Sequence, residues 1–449
     1  METIVANQAL LADGWARDVR IAIESGRIVA VEPGATPGAG ETRHAVAIPG
    51  MPNLHSHAFQ RGMAGRAEVR GPSADTFWTW REVMYHFALT MTPDQMEAVA
   101  SQAYVEMLES GFSRVGEFHY LHHDRDGSPY SDIAEMATRI ASAAESTGIG
   151  LTLLPVFYAH ATFGSELPTD GQRRFITSVD AFARLVDRCT EIIRKMDGAV
   201  LGVAPHSLRA VTPDELAAIV ALQPSGPIHM HVAEQIREVE DCIAWFGQRP
   251  LSWLLDHADV DGRWCLIHAT HLDLDETRRL AESGAVAGLC PITETNLGDG
   301  IFPGPEFIAH GGRYGIGTDS NVLIGAAEEL RQLEYAQRLG KRQRNVLASG
   351  PGSTGRALFD AACLGGGQAL STSGPAITIG APADIATLDT SQLPETGGDG
   401  ILDAWIFAGL ATVESVWVHG LHVVKNGHHI HREQIAIAYQ CVLRELIAG

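Results

Sequence analysis

Histidines and carboxylates recur at the ends of apolar runs in this sequence, and their types and spacing suit a metal ion. The run Met51-Pro52-Asn53-Leu54 leads into His55-Ser56-His57. In an extended strand alternate side chains point to the same side, so His55 and His57 can face one ion together. The run from Pro227 ends at His229-Met230-His231 and continues into Val232-Ala233-Glu234. Other runs end at Ala204-Pro205-His206, at Ile267-His268 and at Gly317-Thr318-Asp319-Ser320. His55, His57, His231 and Asp319 supply three imidazoles and a carboxylate. That set suits one divalent ion per chain, Zn²⁺ first and Fe²⁺ as the alternative, with a position left for water. A lone histidine is more often an ordinary core or surface residue, but a His-x-His with partners on other runs is a stronger signal. Glu234 also fits the first turn of a helix, where acids complement the dipole, and Asp319 fits a helix N-cap. His229 is left out of the metal set. His122, His123, His428, His429 and His431 read as surface residues.

These residues need elements to hold them. Eight apolar strand candidates lie near Ala47–Leu54, Ser113–Phe118, Leu151–Phe157, Val200–Ala204, Pro227–His231, Trp264–His268, Ala285–Leu289 and Tyr314–Gly317, with helical patterns between most of them. This alternation predicts a (β/α)8 barrel of the TIM type, in the α/β class. Active sites of such barrels form at the C-terminal strand ends, so residues distant in sequence converge there. The first 45 residues alternate as short strands, followed after Pro33 by a Gly/Pro-rich connector to Gly40. The last part of the chain looks similar, with Ile377–Gly380, Ala383–Leu388 and Val413–His419 as strand candidates. The expected domains are 1–45 and 371–449, the two parts of one small sheet domain built from both termini, around a catalytic barrel at 46–370.

Composition narrows the function. Lys plus Arg number 33 against 54 Asp plus Glu, a formal charge of −21. So acidic a chain has no general attraction to nucleic acid or anionic lipid. No run is long enough for a membrane span and no secretory signal is evident. The six cysteines are scattered without a C-x-x-C pair, which suits buried, inert thiols in a reducing cytoplasm.

The constellation resembles the amidohydrolase superfamily, whose metal-dependent barrel carries a composite β-sandwich domain from both termini. Two-metal members usually bridge their ions with a carboxylated lysine at a mid-barrel strand end. The third and fourth strand candidates contain no lysine, and Lys195 falls before the fourth. That absence, together with His231-x-x-Glu234, resembles the one-metal deaminase branch. The closer resemblance is to the formimidoylglutamate deiminase family. It rests on Met51-Pro52-Asn53-Leu54-His55-Ser56-His57-Ala58-Phe59-Gln60-Arg61-Gly62, Phe77-Trp78-Thr79-Trp80-Arg81, Glu117-Phe118-His119-Tyr120 and Ala204-Pro205-His206-Ser207-Leu208-Arg209. The resemblance implies deimination of a linear amidine with two carboxylates, as in histidine degradation, with release of ammonia. Glu234 is the implied proton shuttle, His268 the stabiliser of the attacking oxygen, and Asp319 a second proton acceptor. Arg81 and Arg209 are the candidate carboxylate binders, because a guanidinium forks onto a carboxylate. Gln60, Tyr120 and His206 map onto the family's other ligand contacts. A homodimer is expected by the same analogy. The aromatic-rich segment Gly62–Met91 carries Arg81 and could act as a lid. The alternative is another one-metal deaminase, acting on a purine, a pyrimidine or a related aminated heterocycle.

Overall fold

The computed structural model describes residues 2–36, 38, 41–70, 76–393 and 396–448. Parts of the Pro33–Gly40 connector and of the Gly62–Met91 segment lie outside those residues. The chain opens with β1 (Glu2–Leu11), β2 (Gly14–Glu24), β3 (Arg27–Glu32) and β4 (Arg43–Pro49). The barrel strands follow: β5 (Met51–Ser56), β6 (Phe112–His119), β7 (Gly150–Phe157), β8 (Val200–Leu201), β9 (Ala204–Pro205), β10 (Ile228–Val232), β11 (Trp264–His268), β12 (Val286–Leu289) and β13 (Arg313–Ile316). All their pairings are parallel. Parallel bridges from Ser56 to Asp319 and from Val203 to Ile228 close the ring. The fourth position is split into β8 and β9. There a Cβ on Gly202 would come within 2.4 Å of the Pro227 carbonyl oxygen, so only glycine lets the backbones approach. Every residue of β5, β6, β10 and β11 is buried, as strands covered on both faces require.

The last strands are β14 (Ile385–Asp389), β15 (Thr412–Val418), β16 (Leu421–Lys425) and β17 (His428–His429). They join β1–β4 in one eight-stranded sheet, ordered β17-β16-β15-β14-β4-β1-β2-β3. The seam between the two ends of the chain is the antiparallel β14–β4 pair. Because side chains alternate, one set from this sheet, including Ile4, Ile21, Ile385 and Trp417, forms its own sandwich-like core. The opposite set, including Leu10, Val46 and Leu388, joins the core shared with the barrel.

Several local expectations change. The strand expected over Ala47–Leu54 breaks at Gly50, where a Cβ would lie 2.7 Å from Ser113, and its first half belongs to the terminal sheet. Ile377–Gly380 is not a strand. Prolines at 375 and 382 flank it and cannot donate to a ladder. The C-terminal part also holds a helix, Arg432–Ala448, that packs on the barrel helix Pro93–Glu109, with Gln95 Nε2 donating to Glu445 Oε2 at 3.0 Å. His428 and His431 are exposed as expected, but His122, His123 and His429 are buried. Each of those three gives a ring N–H to a backbone carbonyl, of Val156, Ile176 and Thr147 respectively, at 2.7–2.9 Å. All six cysteines are free, but Cys441 is exposed and not buried. Among the described residues no helix is long and apolar enough to cross a membrane.

Candidate active site

His55 and His57 at the end of β5, His231 in β10 and Asp319 after β13 meet at the C-terminal mouth of the barrel, all buried. His55 Nε2 lies 3.2 Å from His57 Nε2 and 3.2 Å from His231 Nε2. Asp319 Oδ1 lies 3.4 Å from His55 Nε2 and 3.1 Å from His57 Nε2. The Nδ1 atoms of His57 and His231 sit 2.9 and 3.1 Å from the carbonyl oxygens of Phe118 and His206. A carbonyl only accepts, so those Nδ1 atoms carry the hydrogens and the Nε2 atoms present lone pairs. A cation among these atoms would satisfy the His57 and His231 lone pairs, the His55 ring and the Asp319 carboxylate together. A tetrahedral site with metal–nitrogen bonds of about 2.0–2.1 Å has edges of roughly 3.3 Å, so the donor set fits a divalent ion. Burial pushes His55 down to about 3 and His231 well below its usual value, which favours the neutral rings a metal requires. Asp319 is held well below the usual carboxylate range, its burial outweighed by the imidazoles of His55 and His57. Asp319 and His268 both have left-handed backbone, at φ 45° and 68°, a conformation that costs energy in non-glycine residues and clusters at functional sites.

Glu234 and His268 border this cluster. His268 Nε2 is 3.8 Å from both Glu234 Oε1 and Asp319 Oδ2, and its ring stacks on His231. Burial alone would lower His268, but Glu234, Glu294 and Asp319 outweigh it and hold the imidazole up at about 10. Burial raises Glu234, against the pull of His268 and Arg209. A carboxyl raised in this way holds a proton more readily than a free one, as a general acid–base group requires.

A cavity opens above these groups. Every metal, catalytic and substrate-contact residue expected from the sequence lines it except the fully buried His55. Gln60 Nε2 donates to the Tyr120 hydroxyl at 2.9 Å, leaving Gln60 Oε1 without a partner among the described residues. His206 Nδ1 sits 3.0 Å from Ser207 Oγ, and the His206 backbone holds His231. Arg209 is buried, with Nη2 3.9 Å from Glu234 Oε2. Arg81 makes no ion pair among the described residues and lies over Trp78 and Tyr85, at 4.6 and 5.4 Å from the ring centres. The helix that carries it, Phe77–Thr90, is fixed at its far end by the buried Arg174, which donates to the Ala88 and Met91 carbonyls.

Some contributors were not marked in the sequence. Glu294 accepts from Cys290 N at 2.8 Å and holds His268 Nδ1 at 3.2 Å. An acid in the first turn of a helix after a strand has an ordinary explanation, so its spacing carried no signal. Glu117 stands in a quoted motif without a role. Its Oε1 accepts from Ala58 N at 2.7 Å, and burial pushes it up to about 7. Where β13 meets β5, Asn53 Nδ2 donates to Thr318 Oγ1 and Thr318 Oγ1 donates to Asn321 Oδ1. Asn321 Nδ2 lies 3.1 Å from Ser56 Oγ, His57 O and Asp319 O, pinning both ligand-bearing turns. His229, left out of the metal set, gives its Nε2 hydrogen to the Ala369 carbonyl at 2.8 Å.

Residues 46–427 match the amidohydrolase family, and residues 1–45 match the N-terminal domain described as formimidoylglutamate deiminase HutF. The sequence is 49% identical to formimidoylglutamate deiminase of Pseudomonas aeruginosa over the whole of both chains. The crystal structure of an amidohydrolase from Brucella melitensis superimposes with a TM-score of 0.98 at 60% identity, covering all of each chain. A zinc-bound adenosine deaminase from Xanthomonas campestris, 22% identical, shares the fold with a TM-score of 0.80 over 100% of this chain and 98% of its own. By sequence, fold and site, this chain belongs to the amidohydrolase family, in its formimidoylglutamate deiminase branch.

Proposed function

We infer that this chain is a metal-dependent C–N hydrolase that converts N-formimidoyl-L-glutamate and water into N-formyl-L-glutamate and ammonia, a step of histidine degradation. The observation that carries this reading is one cavity in which Arg81 and Arg209 stand beside the His/Asp cluster, Glu234 and His268. The full-length likeness to the P. aeruginosa enzyme supports it. His55, His57, His231 and Asp319 would hold one divalent ion, Zn²⁺ before Fe²⁺. When bound, such an ion lowers the pKa of water and makes a nucleophile available at neutral pH.

Glu234 takes a proton from the attacking water and returns it to the departing nitrogen, so that ammonia leaves and not an amide anion. His268 donates to the oxygen that gains charge during attack, with Glu294 fixing which ring nitrogen faces it. Asp319 accepts the second water proton as the C–N bond breaks. Arg81 and Arg209 bind the two carboxylates of the substrate. Gln60, Tyr120 and His206 direct hydrogen bonds to its remaining polar atoms. The proposal includes a cytoplasmic setting, supported by six free cysteines, and a homodimer, which light scattering of the purified chain would test.

Ammonia release across formiminoglutamate, guanine, adenosine and cytosine tests the reaction. Turnover of formiminoglutamate alone is expected. A substrate with both carboxylates amidated should be poor. Equal turnover of dianion and diamide would overturn the substrate assignment and put a heterocycle deaminase first.

A further inference from the structure

Trp78 does not line the cavity, yet three arginines converge on its ring. Trp78, Arg81 and Tyr85 fall at i, i+3 and i+7 of the helix Phe77–Thr90 and so share one face. The Arg81 guanidinium lies 4.6 Å from the indole centre. The Arg209 guanidinium, from the turn after β9, lies 5.9 Å from it. The Arg237 guanidinium, from the helix Ile236–Phe246 that follows Glu234, lies 4.8 Å from it. Three like charges around one ring repel one another. Arg209 is partly offset by Glu234 at 3.9 Å and Arg237 by Asp241 at 3.6 Å, whereas Arg81 has no such partner among the described residues. The negative face of an indole is an uncharged group that attracts cations without neutralising them. A carboxylate in that place would also gather arginines, but it would consume the charge that a substrate carboxylate must meet.

We propose that Trp78 is a positioning residue for recognition of the dianion, setting the spacing of Arg81 and Arg209, and that Arg237 braces the indole from outside the cavity. Arg237 is exposed and away from the lining, so it acts through Trp78 and not on the substrate. The inference rests on the substrate reading given above.

The test uses the full metal-loaded chain and N-formyl-L-glutamate as the dianionic probe, with Kd measured by calorimetry. Trp78→Leu should weaken binding by at least about tenfold, the factor that roughly 1.4 kcal/mol represents. Trp78→Phe, which keeps an aromatic face, should restore most of the affinity. Arg237→Gln should cost about threefold, in keeping with one exposed cation–π contact. Turnover of the neutral diamide and the metal content should not change in any of them. Undiminished binding by Trp78→Leu overturns the proposal. So does a parallel loss of dianion binding, diamide turnover and metal, which a merely structural role predicts. If the wild type binds the probe but releases no ammonia from formiminoglutamate, the reaction assignment falls and Trp78 is still judged by these ratios. If the wild type binds no dicarboxylate, both fall.

Discussion

In the proposed reaction the chemistry turns on Glu234, the buried carboxyl that would receive a proton from water and release it to nitrogen. Glu234→Gln keeps the shape but cannot accept that proton. Turnover should drop by about 10²–10⁴-fold, the usual contribution of a general acid–base step. Metal content by elemental analysis should stay the same, since Glu234 is outside the ligand set. Retained turnover with metal in place would remove the shuttle role. Asp299 gives a second test at this scale. Its carboxylate accepts from Gln235 Nε2, and burial, with Glu234 nearby, pushes it up to about 8. Between its usual value and about 8 the folded chain therefore holds a proton that the unfolded chain has lost. Stability falls as pH rises through that window. Asp299→Asn has no such proton, so its denaturation midpoint relative to wild type should rise between pH 5 and pH 8. A constant difference across that range would contradict the shift. His55, His57, His231, Glu234, His268 and Asp319 were all legible because each sits at or just past a strand end, where position has chemical meaning. Glu294 and Asp299 were not, because an acid at a helix start and an acid in a loop each have a commonplace explanation.

At the scale of elements, the strand ends aim the site and the join between β13 and β5 keeps them aimed. Asn321 carries that join, with left-handed backbone at φ 55° and a fully buried side chain. Asn321→Ala should destabilise the fold twice over. Unpaired buried groups cost about 1–3 kcal/mol. Left-handed backbone costs a residue with a β-carbon roughly 1–2 kcal/mol, a strain that the asparagine side chain offsets by local hydrogen bonding, as to Asp319 O, and that alanine cannot offset. Asn321→Gly removes only the second penalty, so it should lie between alanine and wild type in urea denaturation; equal losses would show that the backbone adds nothing. The alternation of strand and helix was legible because hydrophobic period follows burial. The break at Gly50 was not, because a close approach to Ser113 is a tertiary fact with no period. The helix Arg432–Ala448 was missed for a related reason. Few of its residues are buried, so its pattern offers little contrast.

The whole molecule brings its ligands from opposite ends of the barrel sequence to one point. A single ion per chain is expected by elemental analysis, and a reproducible two would overturn the one-metal assignment. Chelation should abolish turnover and lower the melting temperature, because an ion bound only by the folded state adds its binding free energy to stability. Readdition of Zn²⁺ should restore both. The closing seam has a further consequence during synthesis. Asn53 and Thr318 are 265 residues apart, so at about 5–20 residues per second roughly 13–50 s pass between the two halves of the seam leaving the ribosome. Within that interval His55 and His57 are joined by His231 partway, and Asp319 arrives last. A nascent chain therefore lacks the complete His/Asp donor set until the segment after its last barrel strand has emerged.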